Sequence, residues 1–139
     1  MNYIEVNNIE WNIADQSWPR GNPTNPGKAQ CSSFRSGLCQ VKFFELSPWS
    51  DYSILDTDYT SYSVVYACDT FGAGAVKLDW LWVVTRTAMA IGSAAHTTMK
   101  TTVFDIINSK LENPGDLDTR LRPTEQTTGQ GCVYSEYPL

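Results

Sequence analysis

Few side chains in this sequence could carry out covalent chemistry. The single histidine, His96, has no cysteine or aspartate among its near neighbours that could activate it. Asp51, Asp56 and Asp58 follow one another closely, but they do not form a convincing acid and base pair. Because nucleophilic catalysis needs a nucleophile and a base within reach of each other, we expect no enzymatic activity. His96 is predicted to lie at the surface or at the start of a helix.

The cysteines favour disulfides over a metal site. None of Cys31, Cys39, Cys68 and Cys132 forms a Cys-x-x-Cys pair, and one histidine adds little to a zinc ligand set. Four cysteines in a small chain are typical of an extracellular domain with disulfides, and buried free thiols are the alternative. Cys31 and Cys39 flank a turn-like segment and could form a local bridge.

The composition favours a folded domain rich in large rings and excludes two classes of partner. The 139 residues include five Trp, seven Tyr and five Phe, and 42% are hydrophobic. A net charge of −5 without a basic cluster argues against nucleic acid. No apolar run reaches the roughly 18 residues that cross a bilayer. The sequence has no leader pattern at its start, so a secreted protein would carry its signal outside this sequence.

The secondary-structure pattern predicts several short strands and then one helix. In residues 78–86, Trp80, Trp82 and Val84 alternate with an equally apolar set, so both faces of this strand must be covered. An apolar repeat at helical spacing over 93–111 supplies a cover for one face. Further strands are predicted over 3–13, 38–46, 52–59 and 62–68, a proline-rich loop over 16–27, and a last strand over 117–125. Regular short strands favour an antiparallel barrel or sandwich.

Two segments give the sequence a family resemblance. Residues 54–68 place Thr57-Asp58-Tyr59 at a tight hairpin, with a Tyr-x-Cys on the next strand that ends at Cys68. Residues 82–86 run Trp-Val-Val-Thr-Arg and end at Arg86. In this order, with a helix next, they resemble the second and third motifs of the lipocalins, and the apolipoprotein D branch in particular. The resemblance implies an all-β fold: an antiparallel up-and-down barrel with one C-terminal α-helix packed outside.

The first lipocalin motif, a Gly-x-Trp on the opening strand, is absent. Neither Trp11 nor Trp18 has a glycine two positions earlier. What can be aligned begins at about the third strand of a barrel of about eight. We therefore expect residues 1–139 to form a single lipocalin-like domain that lacks the first one or two strands. In the apolipoprotein D pattern, the counterparts of Cys68 and Cys132 pair with cysteines in that missing region.

The resemblance implies a binding site for one small hydrophobic molecule inside the barrel. It places Trp82 on the inner wall, and alternation adds Trp80 and Val84. Alternation along the other strands predicts a ligand-binding set completed by Phe43, Tyr52, Ile54, Val64 and Tyr66. Inverting the parity of any strand would exchange its residues for their neighbours. Thr57, Asp58, Tyr59 and Arg86 are predicted to be structural, with Arg86 closing one end of the barrel.

The leading functional hypothesis is a secreted, extracellular carrier or store for a lipid, steroid, retinoid, carotenoid or bilin. No cofactor is required, although a bound chromophore or lipid such as a carotenoid, bilin or fatty acid is compatible with the aromatic content. The alternative is a subunit of a pigment complex or other assembly whose incomplete barrel is completed by a partner, as a dimer or with a second chain. An enzyme in a similar barrel is the third possibility.

Overall fold

The structure is a computed structural model that describes residues 4–9, 24–32, 37–43, 46 and 48–124. Among them are six strands and two helices. The strands are β1 (Ile4–Ile9), β2 (Thr24–Cys31), β3 (Leu38–Lys42), β4 (Ser50–Thr57), β5 (Tyr62–Phe71) and β6 (Val76–Thr85). The helices are α1 (Ala94–Lys110) and α2 (Leu117–Arg120).

The strands form one sheet in which every neighbour in space is also the neighbour in sequence. The order is β1-β2-β3-β4-β5-β6, and the pairs from β1 to β4 are antiparallel. This confirms the predicted up-and-down antiparallel sheet followed by a helix. The described strands do not close the sheet into a barrel, because β1 and β6 stand at opposite ends of the order.

The chain divides into two compact units, each with its own buried residues. The first unit comprises Met1–Ile54 and Tyr66–Trp80, and the second comprises Leu55–Val65 and Leu81–Leu139. In the first unit Ala29, Cys39, Val41 and Ala67 are buried. In the second unit the buried cluster consists of Val64, Val103, Ile107 and Leu117. The prediction of a single domain over 1–139 stays a prediction.

Helix α1 begins and ends close to the predicted bounds. The Ser93 side chain caps it by accepting a hydrogen bond from the His96 N–H at 3.2 Å. The ring of His96 also accepts a hydrogen bond from the Gly92 N–H at 3.4 Å, which places this histidine at the helix start. Val103 and Ile107 on the buried face are one helical turn apart, as the apolar repeat predicts.

Two predicted elements are wrong. Residues 24–27, expected in a loop, begin β2, where Pro26 is the register partner of Asn7. Proline removes one donor from a ladder but keeps its carbonyl acceptor, so one proline does not prevent pairing. Residues 117–120, expected to begin a strand, form α2 instead. The reason is Asp116, whose carboxylate accepts hydrogen bonds from the Asp118 N–H at 3.1 Å and the Thr119 hydroxyl at 2.8 Å.

Candidate functional site

The two apolar faces of β6 have different surroundings. Leu81 and Val83 pack against the buried cluster that includes Val103 and Ile107 of α1. Alternation along the strand therefore points Trp80, Trp82 and Val84 away from the helix. These three side chains are 39%, 41% and 52% exposed. In each strand, one set of alternating residues points toward the side of the sheet that packs on α1. We call the opposite side of the sheet the tryptophan face.

Strand β4 presents two of the predicted ligand-binding residues on its own tryptophan face. Leu55 packs toward the α1 cluster, so alternation places Tyr52 and Ile54 on the other side of the strand. Tyr52 is half-buried, and this burial raises the pKa of its hydroxyl above the ordinary value of 10.0. The phenol therefore stays neutral at physiological pH and can both donate and accept a hydrogen bond.

The same face continues through β3 and β2. Cys39 is the register partner of Tyr52, and Val41 is the partner of Ala29, so all four residues share one side of the sheet. Phe43 lies two residues beyond Val41 on that side. A Cβ atom at Gly27 would lie only 2.7 Å from Cδ1 of Phe43, so this ring packs directly over the glycine backbone. Part of Phe43 therefore serves packing in the first unit.

In strand β5, the residues predicted to face the ligand lie on the side opposite to the tryptophan face. Val64, predicted to face the ligand, is fully buried in the cluster with α1. Tyr66 has the same parity, and its hydroxyl lies 3.5 Å from the carboxylate of Asp79, which alternates with Trp80. Both predicted residues therefore lie on the helix side. Burial and hydrogen bonding to Cys68 raise the pKa of Tyr66 to about 12.

The residues that β5 places on the tryptophan face are Val65 and Ala67. Both are buried, at 1% and 5% exposure. The Arg86 N–H donates to the Ser61 carbonyl at 3.0 Å, and counting along the strands from that bond puts Val65 opposite Trp82. The same count puts Ala67 opposite Trp80. Sequence reasoning missed these two residues because both alternating sets of β5 contain apolar side chains.

The turn between β4 and β5 is held by the residues of the second predicted motif. The carboxylate of Asp58 accepts hydrogen bonds from the N–H groups of Thr60, Ser61 and Tyr62 at 2.9, 2.7 and 3.1 Å. It also accepts one from the Ser61 hydroxyl. The Ser61 contacts are the largest cause of a pKa for Asp58 well below its ordinary value. Asp58 is thus a turn residue rather than a general base.

Thr57 and Arg86 connect this turn to its strands. The Thr57 hydroxyl donates to the Tyr62 carbonyl at 2.6 Å and accepts from the Tyr59 N–H at 3.0 Å. The guanidinium of Arg86 donates to the Tyr59 carbonyl at 3.2 Å, which links the end of β6 to the turn. Tyr59 has a φ of 63°, a left-handed conformation that these contacts hold in place.

The chain resembles known proteins in part of its sequence and in its fold. No protein-family model matches the sequence. The chain is 45% identical to rat apolipoprotein D over 47 residues, which is 34% of this chain and 24% of that protein. For mouse apolipoprotein D the identity is 43% over 47 residues, with the same coverage.

The structural matches extend over nearly the whole chain. Lobster apocrustacyanin A1 matches with a TM-score of 0.62 at 18% identity, over 91% of this chain and 62% of that one. H1 crustacyanin from the lobster Homarus americanus matches with a TM-score of 0.64 at 18% identity, over 91% and 61%. The fold is a lipocalin fold. The sequence match confirms the resemblance to apolipoprotein D.

The chain spans only part of the length of the proteins that it matches. It spans about a quarter of the apolipoprotein D chains that it matches and about three fifths of the crustacyanin chains. What those whole proteins do comes to this chain only as a proposal.

One disulfide is formed among the described residues. Cys31 and Cys39 are bonded across β2 and β3, with their Cα atoms 3.9 Å apart, which confirms the predicted local bridge. Cys68 on β5 is a free thiol. Cys132 lies outside the described residues, so its predicted pairing is still a prediction.

A separate groove lies in the second unit, between the β4–β5 turn and the first half of α1. Its volume is about 670 Å³, and its walls include Tyr62, Met89, Ala94 and Met99. The carboxylate at its edge, Asp58, is already satisfied by the turn. In the described part of the chain no group of three His, Cys, Asp or Glu residues could hold a metal ion. No described helix is long and apolar enough to span a membrane.

Proposed function

We propose that this protein binds a small hydrophobic molecule against the tryptophan face and carries or stores it. The observation that carries the proposal is the contrast within β6. Leu81 and Val83 are used in packing against α1, whereas the indoles of Trp80 and Trp82 keep about two fifths of their surface exposed on the other face. Large exposed apolar side chains in a row are typical of a binding surface.

The energetics favour a useful affinity. Burial of apolar surface contributes roughly 25 cal/mol per Å², so covering about 300 Å² of ligand carbon contributes roughly 7 kcal/mol before ordering costs. Indoles and aliphatic side chains lose little conformational freedom on binding, so they add little to these costs. A binding free energy of roughly 7 kcal/mol corresponds to a dissociation constant of about 10 μM, so we expect binding in the micromolar range or weaker.

Tryptophan fluorescence titration with a hydrophobic ligand tests the proposal. Trp82→Ala removes a large contact, and we expect the affinity to fall by about tenfold or more. Trp49→Ala is the matched control, because Trp49 packs beside Lys42, whose Nζ lies 5.5 Å from the ring centroid, and is outside the proposed site. Equal losses in the two variants, or no saturable binding by the unmodified protein, would refute the proposal.

The ligand hypotheses from the sequence, a lipid, steroid, retinoid, carotenoid or bilin, differ in colour. A visible absorption band in the purified protein would support a bound pigment. A colourless preparation that binds lipids on titration would support a lipid carrier. The Cys31–Cys39 bridge supports an extracellular location for either, because disulfides persist in oxidising compartments.

A partner that extends the sheet is the second candidate function. The ten-residue strand β6 stands at one end of the sheet order, and within the described residues no further strand follows it. A long strand at the end of a sheet can be extended by an added strand, from a second copy or from another chain. The molar mass in solution tests the first of these partners, since a monomer at all concentrations would exclude a second copy.

A further inference from the structure

We infer that the tryptophan face takes an electrically neutral ligand, whose polar end is a hydroxyl, carbonyl or ester oxygen, and discriminates against carboxylates. The inference rests on the proposed function and narrows its ligand class. The observation behind this inference is where the charged residues lie along the strands. It matters because a ligand anion in an apolar site needs a cation beside it.

The cations of the sheet lie on the side opposite to the tryptophan face. Lys28 and Lys42 are register partners and alternate with Ala29 and Val41, which belong to that face. Lys42 is also placed beside the ring of Trp49. Lys77 is exposed and has the parity of Leu81, the helix side of β6.

The remaining described cations are used elsewhere. Arg86 has the parity of Trp82, but its guanidinium donates to the Tyr59 carbonyl at the turn. Lys100 pairs with Asp118. The others are Lys110 at the end of α1, Arg120 at the end of α2, and Arg122 two residues beyond α2. Of the ten lysines and arginines, Arg20 and Arg35 lie outside the described residues.

The charge that β5 does place on the tryptophan face is negative. Asp69 follows Ala67 by two residues, so its carboxylate projects from the same side of the strand. A ligand carboxylate entering there would meet like charge and would lose its hydration without compensation. The net charge of −5 on the whole chain acts in the same direction.

The polar aromatic side chains of this face have no formal charge. The hydroxyl of Tyr52 is half-buried beside Cys39 of the disulfide, and its burial keeps it protonated. The indole N–H groups of Trp80 and Trp82 are donors on β6. A neutral oxygen enters such surroundings without the desolvation cost of an ionised one.

Paired titrations with cis-parinaric acid and its methyl ester test the inference. The two probes share one fluorescent chain and differ at pH 8 only in the charged end. We expect the ester to bind at least about tenfold more tightly. Equal binding, or tighter binding of the acid, would overturn the inference while leaving the proposed function intact. If neither probe binds and a neutral sterol also fails, it is the proposed function that falls.

A charge reversal tests which residue causes the discrimination between the acid and the ester. Asp69→Lys places a cation on the tryptophan face, and we expect it to raise the affinity for the acid about fivefold relative to the ester. Asp51→Lys makes the same charge change on the opposite side of β4, where Asp51 is exposed and alternates with Tyr52, and should leave the ratio unchanged. Equal changes in both variants, or none in Asp69→Lys, would contradict the placement argued here.

Discussion

Asp58 is the residue on which the geometry of the β4–β5 turn depends. It accepts three backbone hydrogen bonds and one hydroxyl, all of which favour its ionised form and hold its pKa below the ordinary 3.8. A carboxyl whose folded-state pKa is lowered contributes stability that is present above the unfolded pKa and lost as the pH falls through the folded one. The turn is therefore an acid-sensitive element of this fold.

The Asp58→Ala variant should unfold at a lower temperature than the unmodified protein at neutral pH. Because the ionised carboxylate is the source of the difference, the gap should be constant above about pH 5 and should narrow as the pH falls below 3.8. Thermal unfolding followed by circular dichroism from pH 7 to pH 2 measures it. A gap that stays the same over the whole range would show that charge plays no part.

The role of this turn could be read from the sequence, whereas the parity of β5 could not. Thr57, Asp58 and Tyr59 form a local motif whose contacts involve residues up to five positions away, apart from Arg86. Local hydrogen bonding of Asp and Thr follows from residue type. By contrast, which side of β5 faces α1 depends on a helix that begins 23 residues after the strand ends.

The two faces of β5 give the sharpest test at the level of elements. Val64 and Val65 are adjacent and buried, at 0% and 1% exposure, but Val64 packs toward α1 and Val65 lies on the tryptophan face. Truncating either to alanine should cost about 2 kcal/mol of unfolding free energy, through lost burial and a small cavity. Urea denaturation measures this cost.

Only one of these two variants should change ligand binding. Val65→Ala is expected to alter the affinity severalfold, because it changes the surface opposite Trp82, while Val64→Ala should bind as the unmodified protein does. Fluorescence titration on protein that is fully folded at the assay temperature gives the comparison. The reverse pattern would mean that the helix side holds the ligand.

The Cys31–Cys39 bridge stabilises the pairing of β2 with β3. Its two cysteines lie eight positions apart in the sequence, and closing a loop of that size in the unfolded chain is worth about 2.5 kcal/mol. The double variant Cys31→Ser/Cys39→Ser should lose about that amount in urea denaturation. Cys68→Ser is the control, since that thiol is free, and should change stability much less. Similar losses would mean that the bridge adds no specific stability.

Two other elements show where local patterns are not sufficient. The segment 117–125 alternates well enough to predict a strand, but capping by Asp116 starts a helix there. The prolines before residue 28 favour a loop, yet pairing with β1 draws residues 24–27 into β2. In both cases hydrogen bonds to groups outside the segment decide its conformation, which is why the sequence pattern alone misassigns it.

At the scale of the whole molecule, the lipocalin fold matches known structures over 91% of the chain, although the sequence identity to them is only 18%. The motifs pointed to this fold because the turn and the strand ending at Arg86 are held by specific contacts. Which ligand binds depends on the side chains that share one face of the sheet. Which side chains share that face depends on which set of alternating residues in each strand points toward it. The central claim is accordingly a claim about which surface the ligand touches.

Photolabelling tests that claim most directly. A neutral sterol that carries a diazirine would be bound to the unmodified protein, activated by light, and its adducts mapped by peptide mass spectrometry. We predict adducts on Tyr52, Trp80 or Trp82 that an excess of unlabelled sterol abolishes. Competable adducts on Met89 or Met99, in the groove beside α1, would contradict the account.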